Sequence, residues 1–228
     1  MKNKKAEQQK RRDELKAQRR QAKSLDRGAP SIIEKPTILI VCEGQNTEPS
    51  YFNNFKLSSA TVKSIGEGYN TVSLVERAKM LSQRKVYDQV WCVFDKDDFD
   101  DADFNSAINL ANQNNFGVAY SNQAFEYWII LHFNDHQGGG ITRDLYDRLI
   151  NKYLKPFKLK YDGNKSKIIS DDIFDILESI ETKSGKARRT LAIERAKRNY
   201  QLLTHQNPAK EESSTTVYRL VEELDKYR

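Results

Sequence analysis

ThrIleLeuIleValCysGluGly at 37–44 and ValTrpCysValPheAspLysAspAsp at 90–98 decide the fold of this chain. Each is an apolar run that ends in acid. Residues 37–42 and 90–94 carry almost no polar side chains, which is the pattern of a parallel strand covered on both faces. The carboxylates that follow stand at the carboxyl ends of their strands, where open α/β sheets bind ligands. If the two strands lie close together, Glu43, Asp95 and Asp97 meet, and they repel one another unless a divalent cation neutralises them.

Working outward, the pattern alternates. Strands are expected at 36–42, near 61–65, at 88–94 and at 116–120. Helices are expected between them: one carrying Glu48, Tyr51, Phe52 and Phe55 and capped by Asn46 or Thr47, one over 72–84, and one over 102–114 capped by Asp100 or Asp101. Strand–helix alternation of this kind builds right-handed βαβ units. The segment GlnAlaPheGluTyrTrpIleIleLeuHisPhe at 123–133 is too long for an average strand and reads as a buried helix. After the breaker Gly138-Gly139-Gly140, helices are expected at 142–153, 170–182, 187–204 and 215–227, with a loop around 156–168. The expected class is α/β: a mostly parallel four-stranded sheet flanked by helices, spanning 31–135, with a helical C-terminal extension over 136–228.

Composition adds an N-terminal arm. Residues 1–30 hold eleven Lys/Arg against four Asp/Glu, a net charge of +7, whereas the other 198 residues sum to −1. Gly28-Ala29-Pro30 closes the arm, which is expected to be partly helical or disordered. A run of this charge suits nucleic acid, because each neutralised phosphate releases counterions, and it equally suits a solvated tail. No apolar run approaches the roughly 20 residues that span a bilayer, and no secretory signal follows Met1. Cys42 and Cys92 sit inside expected strands and read as buried free thiols. The cytoplasm is the expected location, with no membrane partner.

The acids carry the chemistry. Glu43 is followed by Gly44, which permits a sharp turn and close approach of a ligand to the backbone. Asp95 and Asp97 are two apart, so in extended chain they share a face. Mg²⁺, or Mn²⁺ in its place, takes oxygen ligands of this kind, and such ions clamp the oxygens of a phosphodiester. Asp98, Asp100, Asp101 and Asp103 read as caps or solvated loop acids. No GxxxxGK[ST] and no GxGxxG follows a strand, so a nucleotide-binding loop is not expected. Glu126 lies among Phe125, Tyr127 and Trp128, and is either part of the active site or a structural partner. His132, His136 and His205 show no ligand spacing. Arg188, Arg189, Arg195 and Arg198 stand on the expected 187–204 helix, either as a phosphate-contacting face or as a solvated surface.

These motifs carry a resemblance. Glu43-Gly44 after one strand and Asp95-Lys96-Asp97 after a later one resemble the Toprim domain of topoisomerases, primases and OLD-type nucleases. More narrowly, CysGluGlyGlnAsnThrGluProSerTyrPhe at 42–52, PheAspLysAspAsp at 94–98, and SerAsnGlnAlaPheGluTyrTrpIleIleLeuHisPhe at 121–133 resemble the RloB-like family. So do AsnPro at 207–208 and SerSerThrThrValTyrArgLeuValGluGluLeu at 213–224. Gln123 departs from it, standing where an AsnPro pair would place proline. The resemblance implies a Toprim-like, Rossmann-like fold and a metal-dependent nuclease linked to restriction loci and phage defence, often encoded with an ATPase. By position, Glu43 matches a ligand or general acid/base, Asp95 and Asp97 match metal ligands, and Glu48 matches a second acid. Glu126 belongs to the narrower motif.

Two functions are therefore expected. The first is an Mg²⁺-dependent nuclease cleaving RNA, such as tRNA, in preference to DNA. Water would be its nucleophile, since no Ser/His/Asp or Cys/His grouping competes. The alternative is a non-catalytic nucleic-acid-binding or adaptor subunit that docks an ATPase partner.

Overall fold

The computed structural model describes residues 35–64, 71–96, 100–137, 141 and 143–228. The basic arm and Asp97 and Asp98 lie outside the described residues. Residues 35–228 form one compact unit.

Four strands form the sheet: β1 (Ile38–Cys42), β2 (Ala60–Ser64), β3 (Gln89–Asp95) and β4 (Gly117–Ser121), in the order β2-β1-β3-β4 and all parallel. The apolar run of β1 is fully buried because it lies between two neighbours and under helices on both faces. Three helices make the crossovers: α1 (Thr47–Asn53), α2 (Thr71–Arg84) and α3 (Asp101–Gln113). Strand side chains alternate between the faces. Leu39, Val41, Cys92 and Phe94 pack with Leu74, Val75 and Ala78 of α2 and Phe104 and Ala107 of α3. Ile38, Ile40, Cys42 and Val93 pack with Tyr51, Phe52 and Phe55 of α1.

The chain then adds α4 (Glu126–Leu131), α5 (Arg143–Leu154), α6 (Asp171–Glu178), α7 (Arg188–Gln201) and α8 (Val217–Asp225), with short 3₁₀ turns at Lys155–Phe157 and Pro208–Lys210. These helices do not stand apart from the sheet. They join the α1 face, where Tyr51 meets Phe125, Trp128 and Phe174 edge-on. Segment 213–216 also closes the outer edge of β4. The Thr216 N–H donates to Tyr120 O (2.8 Å), and the Thr216 hydroxyl donates to Val118 O (3.2 Å) while accepting from Tyr120 N (2.9 Å). The Asn122 N–H donates to Ser214 O (2.7 Å). An edge strand's free backbone groups are thus satisfied by buried Ser and Thr.

Two local expectations change. Asn46 makes no side-chain cap on α1, and Thr47, its first residue, turns its hydroxyl toward Tyr161 instead. The aromatic segment becomes helical only at Glu126, because Gln123 holds φ +87° in the preceding turn. Proline is locked near φ −65° and cannot take that conformation. Asp100 caps α3 as expected, accepting from Ala102 N at 2.9 Å. Both cysteines are buried and free.

Candidate functional site

Strand order places the acids. β1 sends its crossover to β2 on one side, while β3 lies on its other side, so the gap between β1 and β3 is the switch point where crossovers diverge. Glu43 leaves β1 there, with its N–H on Val93 O of β3 (2.9 Å). Its Oε2 accepts from the Asp95 N–H at 3.3 Å. The two strand-end acids are therefore neighbours across the switch point.

Asp95 is held from behind. Its Oδ2 accepts from the Phe125 N–H at 3.0 Å, which ties the end of β3 to the turn before α4. Its Oδ1 is buried and, among the described residues, has no hydrogen-bond partner. Burial, then the fields of Glu48 and Glu126, push its carboxyl well above the usual aspartate range, with Glu43 adding to the effect. Glu48, on the first turn of α1, is 5 % exposed. Burial raises its carboxyl to about 7, opposed by hydrogen bonds from backbone N–H groups of Glu48 and Gly44, with Glu126 raising it and Lys167 lowering it. That carboxylate packs directly on Gly44: a Cβ there would sit 2.2 Å from Glu48 Oε2. A side chain at 44 would displace this carboxylate from its place.

Glu126 joins through a hydrogen-bonded chain. The Tyr161 hydroxyl donates to Glu126 Oε1 (2.8 Å) and lies 3.2 Å from the Thr47 hydroxyl. Tyr161 is fully buried although it belongs to a loop, because α5 grips it: Asn151 accepts from Tyr161 N and donates to Tyr161 O, each at 2.8 Å. Asp147 accepts from Gly163 N (2.9 Å), and Ser50 of α1 accepts from Ile169 N (2.9 Å). The loop is thereby fastened at both ends. It carries Lys167 to where its charge reaches Glu48, and it walls a pocket of about 350 Å³ lined by Glu126, Tyr146, Arg148, Tyr161 and Lys167. The Tyr146 hydroxyl is buried without a hydrogen-bond partner among the described residues, and the charges of Asp95 and Glu126 act on it.

Of the expected site residues, the structure gathers Glu43, Glu48, Asp95 and Glu126 at one end of the sheet. Asp97 lies outside the described residues. The orphaned Asp95 Oδ1, in the fields of Glu48, Glu126 and Glu43 that raise the proton affinity of its carboxyl, fits a cation in chemical character. Among the described residues, however, no three His, Cys, Asp or Glu side chains are already arranged as a ligand set.

The α7 arginines are engaged within the fold. Arg189 pairs with Glu178 and with Asp225 (3.2 Å), Arg198 pairs with Asp135, and Arg195 donates to Leu131 O (2.7 Å). Arg188 lies over the rings of Phe133 and Phe157. His132 is a core residue: burial holds it neutral, with its pKa lowered to about 3, and Nδ1 lies 3.0 Å from Trp128 O. Sequence reasoning missed Tyr161, Tyr146 and Lys167. A tyrosine inside a Lys-, Gly- and Asn-rich loop was the available signal for the first.

A family model described as RloB-like protein matches residues 38–224. The chain belongs to the RloB-like protein family. The match runs from β1 through α8, so it takes in all four carboxylates, the Tyr161 loop and the buried 213–216 segment of this RloB-like chain. No curated protein and no solved structure matched the chain. Among the described residues no helix is long and apolar enough to cross a membrane.

Proposed function

We propose that this chain is a metal-dependent nuclease of Toprim type that cleaves phosphodiester bonds in nucleic acid, RNA such as tRNA in preference to DNA, in a phage-defence role. The observation that carries this reading is the orphaned Oδ1 of Asp95, buried at the switch point beside Glu43 and in the fields of Glu48 and Glu126. Glu43 and Asp95, with Asp97, would hold Mg²⁺ or Mn²⁺, and Glu48 would assist. Such an ion, when bound, supplies Lewis-acid stabilisation of phosphate and a water of lowered pKa. The chain's own residues do the rest. Phe125 N–H fixes the rotamer of Asp95, and Gly44 leaves room for Glu48. Tyr161 fixes Glu126 on the wall of the pocket by donating to its Oε1. Lys167 offers a cation on the pocket wall to an incoming phosphate.

The test is cleavage of RNA and DNA, with and without Mg²⁺ or Mn²⁺, by wild type, Glu43→Ala and Asp95→Asn. Cleavage should need the ion and should fall by at least about a hundredfold in either variant. Equal cleavage by variants and wild type would sink the assignment. Absence of cleavage by wild type, together with a stoichiometric ATPase on co-purification, would favour the adaptor function.

A further inference from the structure

A second pocket, of about 500 Å³, wraps the outer edge of β4 away from the carboxylates. It lies beside the first residues of β4, Gly117 and Val118, at the start of the stretch that Thr215 and Thr216 cover, where the Thr216 hydroxyl serves Val118 O. Trp91 of β3 forms one wall, its ring pressed so closely on Gly117 that a Cβ there would lie 2.4 Å from it. Trp91 and Asp95 are four strand residues apart, so the two sites are separated by roughly 13 Å along β3.

The lining has a distinct chemistry. Among the described residues no carboxylate lines this pocket, although the chain holds 32 Asp and Glu; Glu211 stands behind the wall, its Oε2 3.5 Å from His205 Nδ1. The pocket's cation is Arg219, which makes no ion pair among the described residues. Its guanidinium instead lies 4.8 Å from the centre of the Tyr200 ring, and its Nε donates to the Tyr218 hydroxyl (3.3 Å). Tyr200 in turn stacks on His205, with centroids 4.0 Å apart and planes 19° from parallel. At the back, Tyr120 is 3 % exposed, and among the described residues its hydroxyl has no partner at hydrogen-bond geometry, Tyr200 lying beside it. The opposite wall is one face of α3, where Asn105, Asn109 and Asn112 recur at helical spacing. Asn105 is used internally, on Asn207 and Ala209, while Asn109 and Asn112 are exposed at the rim.

Aromatic planes, amides and a stacked arginine without a carboxylate are the groups that recognise a nucleotide. Bases stack on aromatic and guanidinium planes, amides pair with base edges, and arginine takes phosphate. A metal ion would find a single carboxylate nearby, Glu211, already turned to His205 behind the wall, and a lipid would leave the Tyr120 hydroxyl and the amides unpaired. We propose that this edge pocket is a nucleotide-binding site, separate from the carboxylate cluster. It takes a purine or pyrimidine base against Trp91 and the asparagine face, with the phosphate toward Arg219 and the Tyr120 hydroxyl. The nucleotide is either free or an unpaired nucleotide of a longer strand.

Fluorescence tests this directly, because the chain has two tryptophans and Trp128 is fully buried in the core, so changes in quenching report Trp91. The full chain is titrated with each of the four nucleoside monophosphates and with unpaired tetranucleotides, without divalent ions, at about 0.2 M salt to suppress binding by the basic arm. Saturable quenching is expected, lost in Trp91→Phe and weakened at least about fivefold in the rim variant Asn109→Ala/Asn112→Ala and in Arg219→Gln. Equal affinity for monophosphates and tetranucleotides identifies a free nucleotide as ligand. Tetranucleotides binding tenfold tighter identify a strand. No saturable quenching up to millimolar nucleotide overturns the proposal, and so does quenching that the rim variant leaves unchanged. Because no step reads cleavage, loss of the nuclease reading leaves this result intact.

Discussion

Replacing Glu48 by Gln should make the protein more stable at neutral and alkaline pH. Glu48 is buried, and its carboxyl rises from an ordinary 4.5 to about 7, first by burial and then by the field of Glu126. The native state therefore binds a proton more tightly than the unfolded chain. Stability from this group is fully present below pH 4.5 and is lost as pH rises through about 7. The slope is at most about 1.4 kcal/mol per pH unit, so the whole loss is about 3 kcal/mol. Asp95 shifts in the same direction and steepens the wild-type curve. Gln keeps the shape and hydrogen-bonding capacity of protonated Glu without the ionisation, and so should remove the Glu48 share. Urea unfolding of wild type and Glu48→Gln at pH 5, 6, 7 and 8 measures this. The variant should lead by about 1 kcal/mol at pH 5 and by about 3 kcal/mol at pH 8. Millimolar Mg²⁺ should close part of that gap by stabilising wild type more than the variant. Parallel pH profiles, or a variant weaker at pH 8, would refute the picture of Glu48 as an acid pressed among acids.

Three further outcomes follow from the geometry. Tyr161→Phe removes the donor to Glu126 and the partner of Thr47, and should cost about 2 kcal/mol in urea unfolding. Gln123→Gly should gain about 1 kcal/mol in the same assay by relieving a left-handed backbone, whereas Gln123→Pro should lose more than it gains. Thr216→Val strips one hydroxyl that serves both Val118 O and Tyr120 N. It should lower stability by about 2–3 kcal/mol, while Thr216→Ser, which keeps the hydroxyl, should lie close to wild type.

Glu43 and Asp95 were legible in the sequence because buried parallel strands need uninterrupted apolar runs, and the first acid after such a run has to mark the strand's end. The same logic located all four strands and the crossover helices to within a few residues. The Asn46 cap was misjudged because a residue type that prefers a helix start does not reveal where nearby hydroxyls will point. Tyr161 was missed because its role depends on a hydrogen bond to a residue 35 positions earlier. The α7 arginines show the converse. Their spacing reads as a basic face, yet Glu178, Asp225 and Asp135 arrive from elsewhere in the chain to meet three of their ion-pairing contacts.

Taken alone, the sequence determined that two buried strands deliver acids to their ends, because hydrophobic periodicity is local and strand termini follow from it. Only the tertiary structure decided that β1 and β3 are adjacent and that Glu48 folds back over Gly44. It also decided that a loop more than 60 residues beyond Asp95 brings Lys167 and Tyr161 to the same corner. Those facts depend on which distant segments share one core, and burial energy is settled by the whole packed assembly rather than by any stretch of chain.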